Sequence, residues 1–192
     1  MPKKRKKKVN PHRIPLAKSA VDKDAILSEA TQDDMYRAWL LVVNAIIEQG
    51  QIPVKEIPAL ADTVNKYISS AAFQGKVKEG ELRRAEKLMG LSNAHMNLNP
   101  DMIRSPIELI RFKEKVFKVA TSTSLSVICL GLEATGRFHK ENLRQLFFNV
   151  DLTLAEIDNG INSFEKIEKS LTDIMVRIEV DEGEYSTVKI EI

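Results

Sequence analysis

Few residues of this 192-residue chain have the types and spacing that catalysis requires. The nearest approach to acid–base chemistry is Glu133, His139 and Glu141 around Gly136, where a carboxylate and an imidazole could exchange a proton. These residues are better explained as the polar end of one helix and the start of the next. Because no glycine-rich phosphate loop accompanies them, the sequence predicts a protein that is not an enzyme.

The cysteine and histidine content also argues against a metal centre. A single cysteine, Cys129, excludes an intramolecular disulfide and indicates a reducing compartment. It lies in the apolar helix face Leu125–Leu132, which favours a buried packing residue over a nucleophile. His12, His95 and His139 have no ligand-like spacing with it. We therefore expect no catalytic residue, no metal and no other cofactor.

The positive charge of the chain is concentrated in its first 18 residues. The net charge is +2, but residues 1–18 hold eight of the 29 cations and no acid. The remaining 21 cations face 27 acids, so residues 19–192 carry a net charge of −6. Any contact with nucleic acid is therefore expected mainly at the tail. The predicted nucleic-acid-binding residues are Lys3, Lys4, Arg5, Lys6, Lys7, Lys8, Arg13 and Lys18, with a second basic patch at Arg111, Lys113, Lys115 and Lys118.

Residues 1–18 are predicted to be disordered, because they combine dense like charge, low hydrophobicity and three prolines. The basic run is compatible with an arm that binds DNA or RNA phosphates, with a eukaryotic nuclear-import signal, or with a solubilising tail. We favour the arm. The tail lacks the apolar centre of a signal peptide, and the longest apolar run, Trp39–Val43, ends at Asn44. No membrane partner is expected.

Apolar residues at helical spacing predict six helices, most of them ended by glycine. A first helix from Ser19 could break near Thr31, and a short turn from Pro53 should precede the second. Ser105, followed by Pro106 and Glu108, predicts the start of a helix, with serine as the N-cap, proline at the first position and glutamate at the third. The predicted helices are 19–49, 57–74, 81–89, 105–134, 140–159 and 163–174.

The second three helices repeat the first three. Gly50 and Gly136 are 86 positions apart, and Gly75 and Gly160 are 85 apart. The apolar helical pattern of the two halves stays in phase across a turn, and glycines of one half align with glycines of the other. This agreement favours internal duplication, although two unrelated helical hairpins remain an alternative. The predicted fold is all-α, with two related three-helix units and a C-terminal β-hairpin. The expected boundaries are 1–18 for the tail, 19–90 for unit one, 91–104 for a linker, 105–176 for unit two and 177–192 for the hairpin.

The chain ends in two alternating stretches around Gly183, which favour a β-hairpin over a frayed helix extension. Two strands alone cannot bury an apolar face. That face could meet a partner, either another copy in a homodimer or a host protein joined by strand addition, or it could fold back over the helices. The predicted interaction residues are Val176, Ile178, Val180, Val188, Ile190 and Ile192.

A loose pattern in residues 1–90 resembles a family of small uncharacterised proteins from phages and mobile elements of Gram-positive bacteria. It consists of the basic head, the long first helix and the segments 48–57, 62–65, 75–77 and 81–82. The resemblance implies a bacterial cytoplasmic location and makes nuclear import less favoured. The family offers no catalytic residues to transfer.

Two functions follow from these features. The first is a non-catalytic phage or mobile-element protein that binds and modulates a host or element-encoded protein, with the basic arm as an auxiliary nucleic-acid contact. The alternative is a nucleic-acid-associated accessory protein without sequence specificity, located with the nucleoid. We favour the first, because the acidic body does not suit general binding of polyanions.

Overall fold

The computed structural model of the protein describes residues 23–70, 79–90, 105–181 and 187–192, with side chains in 34–70, 80–90, 105–180 and 187–192. In that part of the chain, six helices precede a two-stranded antiparallel sheet. The elements are α1 (Lys23–Gln49), α2 (Ile57–Ser69), α3 (Glu79–Met89), α4 (Pro106–Ala134), α5 (Lys140–Asp158), α6 (Phe164–Asp173), β1 (Arg177–Asp181) and β2 (Thr187–Glu191). The predicted helical class and terminal hairpin are confirmed. The tail prediction for residues 1–18 lies outside the described residues.

Serine caps fix the starts of two helices in unit two. The Ser105 hydroxyl accepts a hydrogen bond from the Glu108 backbone N–H at 3.3 Å, and Pro106 takes the first helical position. Ser163 caps α6 in the same way, through the Lys166 backbone N–H at 3.3 Å. Both residues have extended backbones, as an N-cap requires.

The prolines of unit one have the predicted effect on helix geometry. A short 3₁₀ turn at Val54–Glu56 follows Pro53, and Pro58 lies in the first turn of α2, where its missing N–H costs little. Three boundaries differ from the prediction. The helix α2 ends at Ser69, where Ser70 turns to an extended backbone, whereas the predicted end was residue 74. The helix α1 continues through Thr31 without a break, and α3 begins at Glu79, two residues before the expected start.

Left-handed residues end corresponding helices in the two units. Gly50 (φ 62°) follows α1, and Gly136 (φ 68°) lies just after α4. Gly90 (φ 76°) follows α3, and Met175 (φ 68°) lies just after α6, 85 positions later. The same uncommon backbone conformation therefore recurs at repeat-related positions, including one where the sequence has no glycine. This recurrence supports the duplication.

The two units interlock around one core. The long helix of unit one, α1, packs against α4, α5 and α6, whereas α4 packs against α1, α2 and α3. Each long helix therefore makes most of its contacts with the other unit. Both units contribute fully or almost fully buried side chains, among them Trp39, Ile46, Leu60, Leu132 and Phe147. The apolar stripes predicted for separate helices consequently meet in a single shared core.

The hairpin closes this core on one side. Ile178 pairs with Ile190 and Val180 with Val188, so the alternating apolar residues share a face. That face packs on α1 and α2.

Candidate protein-interaction surface

The predicted interaction face of the hairpin is largely used within the molecule. Val176, Val188 and Ile190 are buried in the core, and two further residues, Ile178 and Val180, are partly buried against it. The hairpin therefore folds back over the helices, which was the alternative to a partner contact. Helices α1 and α2 supply the apolar cover that two strands lack. Of the six predicted residues, Ile192 alone is exposed, at 53%.

The basic patch predicted on α4 divides between two sides of the helix. Arg111, Lys115 and Lys118 are exposed at positions i, i+4 and i+7 and share one side. Lys113 is exposed but lies about 140° to 160° around the helix from them, from the 100° turn per residue. The Lys118 ammonium is 3.3 Å from the Asp158 carboxylate. The tail cations, Lys3 to Lys18, lie outside the described residues.

The residues nearest to acid–base chemistry are held in separate contacts. The Glu133 carboxylate forms an ion pair with Arg84 at 2.9 Å, and Glu141 forms one with Arg144 at 2.9 Å. His139 occupies the N-cap of α5 without a side-chain capping bond. Each of these side chains therefore serves a helix end or a surface pair.

Cys129 is fully buried, as its position in an apolar face predicts. Burial, together with a smaller contribution from the nearby Glu133 carboxylate, raises the pKa of its thiol to about 12. The reactive thiolate is thus disfavoured at neutral pH. Within the described ranges, no three histidine, cysteine or acidic residues are grouped so that they could hold a metal ion.

A groove of about 270 Å³ runs between α4 and α5 on the surface of unit two. It has apolar walls, hydroxyl groups and two carboxylates, the mixture found in peptide and ligand sites. Its lining residues are Phe117, Lys118, Thr121, Ser122, Leu125, Asp151, Leu154, Ala155 and Asp158.

An apolar ridge borders this groove on α5. Phe148 and Leu152 are 54% and 50% exposed and stand one helical turn apart. Together with Asp151 and Ala155 they occupy positions i, i+3, i+4 and i+7, so ridge and groove form one continuous side of α5. Large exposed apolar side chains beside a concave surface are typical of protein contact sites. We call these two residues and the groove the α4–α5 surface.

An aromatic cluster fixes one wall of the groove. Phe117 meets Phe164 of α6 edge to face, with ring centroids 6.4 Å apart. The Arg37 guanidinium from α1 lies over both rings, 4.7 Å from the Phe117 centroid and 5.3 Å from the Phe164 centroid. Three helices therefore hold the Phe117 ring, so that wall is preformed.

The floor of the groove is joined to the core by a buried hydrogen bond. The Thr121 hydroxyl donates to the Asp34 carboxylate of α1 at 3.1 Å. Because this hydrogen bond is buried and joins two helices, it also resists movement of α4 against α1.

Sequence analysis missed the α4–α5 surface, although one signal was present. Phe148 and Leu152 lie off the inner stripe of α5, which contains Leu143, Leu146 and Val150. Apolar residues outside the core stripe indicate a second use of a helix face. The groove itself depends on how α4 and α5 pack, which spacing within one helix cannot show.

A second, smaller cleft of about 200 Å³ lies between α1, α6 and β1. There the Tyr36 hydroxyl donates to the Glu168 carboxylate at 2.7 Å, and burial together with that carboxylate raises the pKa of Tyr36. Because this contact joins α1 to α6, the cleft is better explained as a helix junction.

Among the described residues, one helix, α4, is long and apolar enough to cross a bilayer by length and composition. Of its most apolar window, 61% is buried inside the fold. A core helix passes the same test, so the helix is weak evidence for a membrane.

Comparisons with family models, with curated proteins and with solved structures returned no match to this chain.

Proposed function

We propose that this protein is a non-catalytic interaction protein of a phage or mobile element, which binds and modulates a protein of the host or of the element. The observation that carries the proposal is the α4–α5 surface, where Phe148 and Leu152 stand half exposed beside a preformed groove. Aromatic and aliphatic anchors next to a pocket supply most of the free energy at many interfaces. The bacterial setting rests on the family resemblance of residues 1–90.

The basic tail has an auxiliary role in this proposal. Its eight cations would attract DNA or RNA by releasing counterions, without sequence preference. The remaining residues carry a net charge of −6 and oppose broad contact with a polyanion. The arm would therefore keep the protein near nucleic acid in the bacterial cytoplasm while the α4–α5 surface binds its target.

Affinity purification from bacterial host cells, with and without nuclease, tests the proposal. We expect a stoichiometric protein that survives nuclease treatment and is lost from the Phe148→Ser/Leu152→Ser double variant. The Ile161→Ser variant is the matched control, because it removes an exposed apolar side chain that lies outside both the α4–α5 surface and the hairpin. Capture that the double variant retains in full would contradict the proposed surface. Recovery of nucleic acid alone would favour the accessory-protein alternative.

A separate measurement tests the arm. Replacing its eight cations by glutamine should abolish binding to a DNA duplex of arbitrary sequence. For the unaltered chain, log affinity against log salt should have a slope no steeper than about −7, the limit for eight engaged cations. Undiminished binding after the replacement would move the contact to Arg111, Lys115 and Lys118.

A further inference from the structure

The helix pairs α1–α2 and α4–α5 correspond to each other in the two units, but they differ in what covers them. In unit one, the hairpin covers α1 and α2, and the Asn65 side chain binds the backbone of β2. The Asn65 amide donates to the Val188 carbonyl, and the Val188 N–H lies 3.5 Å from the Asn65 amide oxygen. The Asn65 side chain on α2 thus contacts both the backbone carbonyl and the backbone N–H of Val188 in the extended strand β2.

Two residues of unit one that contact or adjoin the hairpin, Asn65 and Tyr36, have repeat-related counterparts in the groove of unit two. Adding 86 to Asn65 gives Asp151, and adding 86 to Tyr36, which lines the cleft beside β1, gives Ser122. Both Asp151 and Ser122 line the groove between α4 and α5. In unit one these positions contact or adjoin the hairpin, whereas in the described part of unit two no strand lies across them.

Unit two has Asp151 where unit one has Asn65, and this difference changes which chemical groups can bind at the position. Asparagine both donates and accepts, whereas an ionised carboxylate only accepts. A segment lying over Asp151 must therefore present a hydrogen-bond donor, and a lysine or arginine would add charge attraction to that bond. The neighbouring Asp158 is already paired with Lys118, so Asp151 carries most of the charge complementarity. The apolar residues Phe117, Leu125 and Leu154 can take aliphatic side chains from the same segment.

We infer that the groove between α4 and α5 binds an extended segment of a partner protein, which carries aliphatic residues and a lysine or arginine at every second position, on the same face. The aliphatic side chains enter the groove, and a cation or backbone N–H of the segment contacts Asp151. Because the segment belongs to the partner, this inference rests on the proposed function and specifies the chemistry of its target. In unit one of the same chain, the corresponding residue Asn65 already binds an extended strand, β2.

Binding of a fluorescein-labelled peptide, Val-Thr-Lys-Thr-Val-Thr-Arg, in which valine and the cations share one face, to the full-length protein tests the inference by fluorescence anisotropy. A peptide with glutamate in place of lysine and arginine controls for charge. We expect saturable binding of the basic peptide alone. Asp151→Asn should weaken it about threefold to fivefold, the value of one exposed ion pair. Asp151→Lys, which adds repulsion, and Ala155→Trp, which fills the groove, should weaken it at least about tenfold.

Matched variants separate groove binding from general effects. Asp173→Asn removes an exposed carboxylate from the end of α6, and Asn142→Trp adds an indole to the opposite side of α5. Both should bind the peptide like the unaltered protein, with unchanged circular dichroism. No saturable binding, or equal binding by Asp151→Lys and Ala155→Trp, overturns the inference. So does binding that appears only after Ile14→Ser/Leu16→Ser, because the chain's own tail would then occupy the groove.

Two further outcomes keep this inference distinct from the proposed function. If the captured protein depends on Phe148 and Leu152 but not on Asp151, the interaction surface stands and the groove inference fails. If sedimentation shows a dimer that Asp151→Lys dissociates, the occupant is a second copy and the inference fails as stated. Capture that both variants abolish supports the two together.

Discussion

Gly131 of α4 lies directly against Val64 of α2. A Cβ built on Gly131 would lie 2.6 Å from the Val64 Cγ1 atom. Valine is stiff at its first torsion and cannot easily turn that methyl away. Glycine is therefore present in the middle of a helix, where its propensity is poor, because the neighbouring helix leaves no room for a side chain.

Gly131→Ala should accordingly destabilise the protein by about 1–2 kcal/mol, because overpacking outweighs the gain in helix propensity. Gly80→Ala is the control, since a Cβ there meets nothing within 4 Å. It should be neutral or should stabilise by up to about 1 kcal/mol. Urea unfolding of both variants measures the difference. In a double-mutant cycle, Val64→Ala should recover part of the Gly131→Ala loss, and strict additivity would exclude the clash.

Met175 occupies a backbone position that favours glycine. Its N–H donates to the Thr172 carbonyl at 2.9 Å, and the Val176 N–H donates to the Leu171 carbonyl at 2.9 Å. These two bonds form a Schellman motif with methionine at the left-handed residue, where Gly160 serves after α5. A left-handed conformation costs a residue with a Cβ about 1–2 kcal/mol.

Met175→Gly should therefore raise the free energy of unfolding by up to about 1 kcal/mol, after the entropy cost of glycine in the unfolded chain. Little packing is lost, because the methionine is 76% exposed. Ile174→Gly, at an ordinary φ of −101°, should instead destabilise. Thermal melts of the two variants give the comparison. A lower melting temperature for Met175→Gly would show that its side chain contributes more than its backbone costs.

At the scale of elements, the hairpin belongs to the core, so Val188 within β2 and Ile192 directly after it should respond differently to charge. Val188 is 2% exposed and Ile192 is 53% exposed. Val188→Asp should cost about 3 kcal/mol or more, because it buries a carboxylate among apolar groups. Ile192→Asp should stay within about 0.5 kcal/mol of the unaltered chain. Similar small effects at both positions would mean that the hairpin contributes little to the core.

Helix boundaries that depend on capping residues and prolines could be predicted from the sequence, whereas features that depend on tertiary packing could not. Ser105 with Glu108 defines a helix start within four residues, and Pro53 and Pro58 fix a turn and a helix in the same way. The end of α2 was less visible, because the helix ends at Ser69, five residues before the predicted end, at a point where the sequence has no glycine or proline. The groove and the cover of the hairpin depend on contacts between distant segments, which no single helix pattern contains.

At the scale of the whole molecule, the interlocked packing predicts that neither unit is independent. Each long helix lies among the helices of the other unit, and the shared core takes Trp39 and Ile46 from unit one and Leu132 and Phe147 from unit two. A unit alone would expose the apolar faces that its counterpart covers. The chain should therefore unfold in one cooperative transition.

Cleaving the folded protein at a protease site introduced within residues 91–104 tests this directly. We expect the two fragments to stay together and to elute as one species in size-exclusion chromatography, separating only in denaturant. Unfolding should then become dependent on protein concentration, because cleavage converts an intramolecular contact into an association between two chains. The same chain without the site, treated with protease, is the control. Fragments that separate and each keep full helicity would show two independent domains, contrary to the reciprocal packing of α1 and α4.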